Sequence, residues 1–98
     1  MLVHKFRTSI TPSSGTGSAN TLKFSGGELD YVYASAASAT TNFDFSLVDE
    51  DGDTIYSAEN VESGFYDMPF IPVRGICTVT ISNASADEAI VTKLMVAE

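Results

Sequence analysis

Residues 41–57, TNFDFSLVDEDGDTIYS, decide the fold class. In the first half of this stretch apolar and polar residues alternate, so that Phe43, Phe45 and Leu47 fall on one face of an extended strand. The acidic run Asp49–Asp53 follows, and its Asp-Gly step is typical of a turn because both residue types accept the positive φ that tight turns need. The pattern predicts a β-hairpin whose return strand begins directly after the turn.

The same period of two recurs along the rest of the chain, with turn residues at roughly every 8–12 positions and no sustained helical period. We therefore predict an all-β protein, a single antiparallel β-sandwich of about seven to eight strands with a jelly-roll or immunoglobulin-like topology. The Cys-Trp-Cys signature of true immunoglobulin domains is absent, since the chain has no tryptophan and one cysteine. The predicted strands are Leu2–Ile10, Asn20–Phe24, Leu29–Ala34, Thr41–Val48, Thr54–Ser57, Phe65–Met68, Gly75–Ser82 and Ala89–Val96, with a turn at Ser25–Glu28.

The predicted core consists of side chains on the apolar face of each strand. These are Leu22, Phe24, Leu29, Tyr31, Phe43, Phe45, Leu47, Ile55, Val79 and Ile81. The last strand is apolar on both faces, with Ile90 and Leu94 on one and Val91 and Met95 on the other. Such a strand is expected to be central in its sheet or covered by a neighbouring subunit.

A chain of 98 residues and 10.4 kDa is long enough for one domain, which we expect to span residues 1–98. Within it we predict a basic N-terminal strand at residues 1–10 and a flexible loop of small residues at 11–19. No apolar run approaches the ~20 residues of a membrane helix. We therefore expect no membrane partner.

The charges are strongly segregated along the chain. The formal net charge is −8, from 13 acidic and 5 basic residues, yet residues 1–25 hold Lys5, Arg7 and Lys23 and no acid. An acidic protein lacks the clustered cations that neutralise phosphates, so we expect no nucleic-acid partner. The basic segment fits either a soluble acidic domain whose first strand happens to be basic, or a segment that docks on a negative surface while the acidic remainder faces solvent.

The sequence shows none of the residue constellations that enzymes need. His4 is the only histidine, and no serine lies in a Gly-x-Ser-x-Gly elbow. Cys77 lies in an apolar β-rich run, where a buried core thiol is expected. We therefore predict no catalytic residues and a protein that is not an enzyme.

The acidic turn carries the candidate metal ligands, Asp49, Asp51 and Asp53, because calcium binds several carboxylate oxygens. The pattern of an EF-hand is not met, since Gly52 falls two residues early and a twelve-residue loop would close on Asn60. The same residues suit a hairpin turn. We expect no cofactor, with calcium as the alternative.

Three stretches together, FSGGEL (24–29), FDFSLVDEDG (43–52) and GICTVTISN (75–83), are similar to small β-sandwich virion proteins of tailed bacteriophages, which include capsid decoration (cement) proteins. The resemblance spans residues 24–83. It implies a non-enzymatic structural protein on the capsid surface of the virion, which binds the major capsid protein and stabilises the head exterior. Two alternatives stay open: a neck, tail or fibre protein of the virion, and a carbohydrate- or calcium-binding module of a bacterial surface protein.

The candidate partner-binding residues are Lys5, Arg7, Lys23, Phe70 and Ile71. The three cations belong to the basic segment, and the two apolar residues lie near prolines in a stretch predicted to be irregular. Uncovered apolar residues of this kind predict symmetric self-association, for which we expect a homotrimer.

Overall fold

The computed structural model describes residues 3–98, apart from the side chain of Leu22. Seven strands and no helix run through this part of the chain, which confirms the all-β prediction. The strands are β1 (Val3–Ile10), β2 (Gly17–Ala36), β3 (Asn42–Val48), β4 (Thr54–Glu62), β5 (Phe65–Asp67), β6 (Ile71–Ser82) and β7 (Ile90–Ala97).

The long strand β2 belongs to both layers of the sandwich. Residues 17–29 pair with β6, and residues 28–36 pair with β7, while residues 32–34 also pair with β5 on the other side. We call the set β1-β7-β2-β5 the β7 layer and the set β2-β6-β3-β4 the β6 layer. Each layer has four strands, because β2 belongs to both. This strand order is that of a jelly roll, so the structure favours the jelly roll over the immunoglobulin-like topology.

The turn predicted at Ser25–Glu28 is not formed, because β2 passes from one layer to the other without interruption. It does so through β-bulges, which bend a strand and increase its twist. Pairing shifts by one residue between Asn20 and Lys23, between Phe24 and Gly27, and again just after Leu29. A Cβ on Gly27 would lie 2.6 Å from the carbonyl oxygen of Ala97, so glycine is what lets the end of β7 approach β2 here.

Most of the predicted core is confirmed. Phe24, Leu29, Phe43, Phe45, Leu47, Val79 and Ile81 are all buried in one cluster that draws on both layers. One prediction is wrong, because Tyr31 does not belong to the core; Ile55 is partly buried and packs against the core. The side chain of Leu22 lies outside the described residues.

The burial of both residues is affected by bulges that alternation along the sequence does not reveal. Asp30 is the extra residue after Leu29, so the inward positions that follow are Val32 and Ala34 instead of Tyr31. Ile55 lies on the edge strand β4, at a second irregularity in its pairing with β3.

The last strand is central, as predicted. β7 lies between β1 and β2, with Ile90, Leu94 and Val96 fully buried on its inner face. The residues of its other face, including Val91 and Met95, are partly exposed on the outside of the β7 layer. Packing against the facing β6 layer therefore accounts for the apolar inner face.

The predicted loop at residues 11–19 is shorter in the structure, because β2 already begins at Gly17. The connection is closed by a bridge between Ser13 and Thr16. Asp87 accepts hydrogen bonds from the backbone amides of Ser14 (3.0 Å) and Gly15 (2.8 Å), which ties the loop to the β6–β7 connection.

Two further strands are longer than predicted. β4 continues past Ser57 to Glu62, with a bulge at its centre. β6 begins at Ile71 and includes Pro72. At residues 71–73 β6 pairs with β2 alone, so this proline lies where one side of the strand is open, as proline requires.

Candidate interaction face

Cations and tyrosines form one row across the outside of the β7 layer. Directly paired residues in an antiparallel sheet share a face. Arg7 pairs with Lys93, Lys93 pairs with Tyr33, and Tyr33 pairs with Tyr66. These four side chains therefore line up across all four strands of the layer.

A second row runs beside the first, in which Lys5 pairs with Met95 and Met95 pairs with Tyr31. The two rows together define what we call the basic-aromatic face. Its members are Lys5, Arg7, Tyr31, Tyr33, Tyr66, Lys93 and Met95. Three of the five basic residues of the chain lie here, although the protein as a whole is acidic.

The cations of the basic-aromatic face are not used by the protein's own carboxylates. Among residues 3–98 there is one side-chain ion pair, between His4 and Glu98, and neither residue belongs to the face. Lys93 instead places its Nζ over the ring of Tyr33, 5.0 Å from the centroid. Arg7 and Lys5 are exposed, and they are free to meet negative charge on another molecule.

Lys23 lies apart from this face. It lines a groove of about 230 Å³ between β1 and the first half of β2, together with His4 and Lys5. The structure thus separates the three cations predicted for partner binding into two neighbouring places, with Lys5 contributing to both.

One side of this groove is held by the last residue of the chain. Glu98 Oε2 lies 2.8 Å from Nε2 of His4, and its Oε1 accepts a hydrogen bond of 2.9 Å from the amide of Ser25. Desolvation raises the pKa of Glu98, but the hydrogen bonds from Ser25 and His4 outweigh it, so the pKa lies below its ordinary value. Glu98 therefore links β1 to β2 as a carboxylate.

An apolar pocket of about 350 Å³ opens at the β5 end of the basic-aromatic face. It is lined by Asp30, Tyr31, Tyr66, Met68, Phe70 and Met95. The rings of Tyr31 and Tyr66 lie 5.2 Å apart and are tilted by 43°. Phe70, predicted to bind a partner, is 56% exposed here, whereas Ile71 packs against the core.

The acidic turn is built around the carboxylate of Asp49. Its Oδ1 accepts hydrogen bonds from the amides of Asp51 (3.0 Å) and Asp53 (2.9 Å), and its backbone amide bonds to the Asp53 carbonyl. The geometry is that of a side chain shaping its own turn. In the part of the chain described, no three His, Cys, Asp or Glu side chains converge as metal ligands.

Cys77 is fully buried, as predicted, and burial raises the pKa of its thiol. Its backbone amide donates a hydrogen bond to the Thr21 hydroxyl, which the first bulge of β2 turns inward.

The described residues include no helix able to cross a membrane.

Sequence analysis missed Lys93, Tyr33 and Tyr66 as members of a site. These residues are distant in the sequence, and only the strand pairing brings them into one row with Arg7. Comparisons with known proteins add no family, since no family model and no curated protein matches the chain.

Proposed function

We propose that this protein is a non-enzymatic structural protein of a phage virion, a capsid decoration protein that binds the major capsid protein and stabilises the exterior of the head. The resemblance of residues 24–83 to such proteins supports the class. The observation that carries the proposal is the basic-aromatic face, where unpaired cations and partly exposed aromatic rings lie together on one flat side of an acidic jelly roll.

The charge distribution orients the protein on its partner. Most of the surface is acidic and is repelled by an acidic shell, so docking proceeds through the basic-aromatic face. An exposed ion pair contributes only about 0.2–1 kcal/mol, so the tyrosine and methionine side chains supply most of the affinity. The cations mainly set the orientation and the rate of association.

The Asp49–Asp53 turn belongs to the β6 layer, between β3 and β4, and its residues 50–53 are exposed. The proposal therefore leaves this turn in solvent when the protein is bound. A neck, tail or fibre protein of the virion could use the same surface. Binding measured separately to capsids, necks, tails and fibres distinguishes these locations.

Binding to capsids assembled without this protein tests the proposal. The variant Lys5→Glu/Arg7→Glu is expected to lose occupancy, most strongly at low salt, where exposed charges are least screened. For a matched control, the single variant Arg7→Glu is compared with Arg74→Glu. Arg74 is an exposed cation beside the acidic turn, so the net charge changes equally. Equal occupancy of all variants would overturn the docking surface, and wild-type protein that does not bind capsids would overturn the function.

Self-association as a homotrimer stays a prediction with less support than the sequence suggested. Phe65 and Ile71 pack against the core of the same chain, and the inner face of β7 is covered by the facing β6 layer. Of the two apolar residues predicted to bind a partner, Phe70 is the one that stays largely exposed. Sedimentation at micromolar concentration measures the oligomeric state, and a monomer would remove the trimer from the proposal.

A further inference from the structure

We propose that the pocket formed by Asp30, Tyr31, Tyr66, Phe70 and Met95 receives a basic side chain, an arginine or a lysine, from the protein to which this chain attaches. That the side chain comes from the attachment partner rests on the proposed function. That the side chain is basic rests on the residues of the pocket itself.

The walls of the pocket suit a cation. The Tyr31 and Tyr66 rings, with centroids 5.2 Å apart and planes tilted by 43°, form an open wedge and do not stack in parallel. Aromatic faces attract guanidinium and ammonium groups through the ring quadrupole. Met68, Phe70 and Tyr66 are each more than half exposed, so the apolar rim is uncovered in the free protein.

One oxygen of the Asp30 carboxylate, which lines the pocket, lacks a hydrogen-bond donor. Asp30 Oδ1 is buried and has no partner among residues 3–98. A buried acceptor that is left unsatisfied destabilises the state that contains it. Asp30 lies in this position because it is the extra residue of the third bulge in β2. An incoming cation brings both a donor and a compensating charge.

A neighbouring acid strengthens this demand for a cation. The pKa of Glu28 is raised by a hydrogen bond to Asp30, by desolvation and by the charge of Asp30. Two carboxyl groups this close repel each other when both are ionised. A basic side chain beside Asp30 relieves that repulsion.

The backbone at Phe70 points to the same conclusion. Phe70 has a φ of 50°, in the left-handed region that a bulky residue rarely adopts. The strain is not offset by burial, since 56% of the side chain is exposed. Strained positions of this kind are concentrated where a surface contacts a ligand.

Arg7 on β1 and Tyr66 on β5 lie at opposite ends of the first row of the face, with Lys93 and Tyr33 between them. A partner that places an acid against Arg7 and a basic side chain in the pocket meets two complementary charges of opposite sign. That arrangement specifies the orientation of the bound protein better than either contact alone.

Amide chemical shifts of the full-length protein test the pocket with defined probes. N-acetyl-arginine amide and N-acetyl-lysine amide are titrated, with N-acetyl-citrulline amide as the neutral match for arginine. We expect saturable shifts centred on Tyr31, Tyr66 and Phe70 with the cationic probes. Asp30→Asn and Tyr66→Ala are expected to weaken binding roughly fivefold, whereas Asp51→Asn, which removes the same charge from the exposed turn, leaves it unchanged.

Three outcomes would overturn the pocket proposal. Equal shifts with the neutral citrulline probe would show that the pocket does not recognise charge. Shifts of the same pocket residues with N-acetylglucosamine would show the same. Shifts centred on Asp49–Asp53 would show general attraction to acidic residues. Capsid binding separates the pocket from the function: a variant Asp30→Asn that binds capsids like wild type while Arg7→Glu does not would reject the pocket and keep the function. If the wild-type protein binds the cationic probes but not capsids, the function would be rejected and the pocket kept.

Discussion

The phenol of Tyr56 donates a hydrogen bond of 2.8 Å to Oδ2 of Asp67, and this bond joins the two layers of the sandwich. Tyr56 lies on β4 and Asp67 on β5, the strands that end the β6 layer and the β7 layer. The ring of Tyr56 also meets the ring of Phe45 edge-on, at 5.9 Å. Burial, followed by the hydrogen bond to Asp67 and its charge, raises the pKa of Tyr56 above its ordinary value of 10.

We expect Tyr56→Phe to lower the free energy of unfolding by about 1–2 kcal/mol at neutral pH, because Asp67 loses its donor. The raised pKa means that the neutral phenol stabilises the fold below pH 10 and that this contribution is lost as pH rises further. Wild type should therefore lose stability above pH 10 more steeply than the variant. Urea unfolding measures both effects. Tyr33→Phe is the control at neutral pH, since the Tyr33 hydroxyl has no partner among residues 3–98, and an equal loss in both variants would contradict the prediction.

Glu88 organises the connection after β2 as an ionised group. It accepts hydrogen bonds from the Ser38 amide (2.9 Å), the Ser38 hydroxyl (3.0 Å) and the Thr41 hydroxyl. The bond from Thr41, the largest cause, and that from the Ser38 amide lower the pKa of Glu88 below its ordinary 4.5.

Glu88→Gln should therefore unfold at a lower temperature than wild type at neutral pH. A lowered carboxyl pKa stabilises the fold above the ordinary value and ceases to do so as pH falls through the lowered one. The difference in melting temperature should thus shrink as pH falls below 4.5. Glu59→Gln, an exposed change on β4, is the matched control. A difference that stays constant with pH would count against the role of the charge.

The acidic turn is expected to depend on Asp49 and not on calcium. Asp49→Ala removes the acceptor of two backbone amides and should cost about 1–2 kcal/mol, whereas Asp51→Ala should change stability by no more than about 0.5 kcal/mol. Millimolar calcium should leave the melting temperature of wild type nearly unchanged. A metal-specific rise that disappears in Asp51→Ala would show instead that the turn binds the ion.

Phe45→Ala should cost about 3–5 kcal/mol, because the side chain is 1% exposed at the centre of the core. The adjacent Ser46 lies on the opposite side of β3 and is partly exposed. Ser46→Ala should therefore stay within about 0.5 kcal/mol. Similar losses at both positions in urea unfolding would contradict the assigned register.

Local alternation was sufficient to predict the hairpin and most of the core. Phe43, Phe45 and Leu47 lie in a strand without an extra residue, so each second position stays on the same side. The same rule failed at Tyr31, because Asp30 is an additional residue and one such residue exchanges the two faces of everything that follows.

The sequence by itself determined the all-β class, the acidic turn, the burial of Cys77 and the exposure of Lys5 and Arg7. These follow from the order of neighbouring residues, since strand period and turn chemistry act over a few positions. Only the tertiary structure decided that Lys93 and Tyr66 lie in one row with Arg7. That neighbourhood depends on which distant strands pair and in what register, and pairing is settled by burial of the whole core at once.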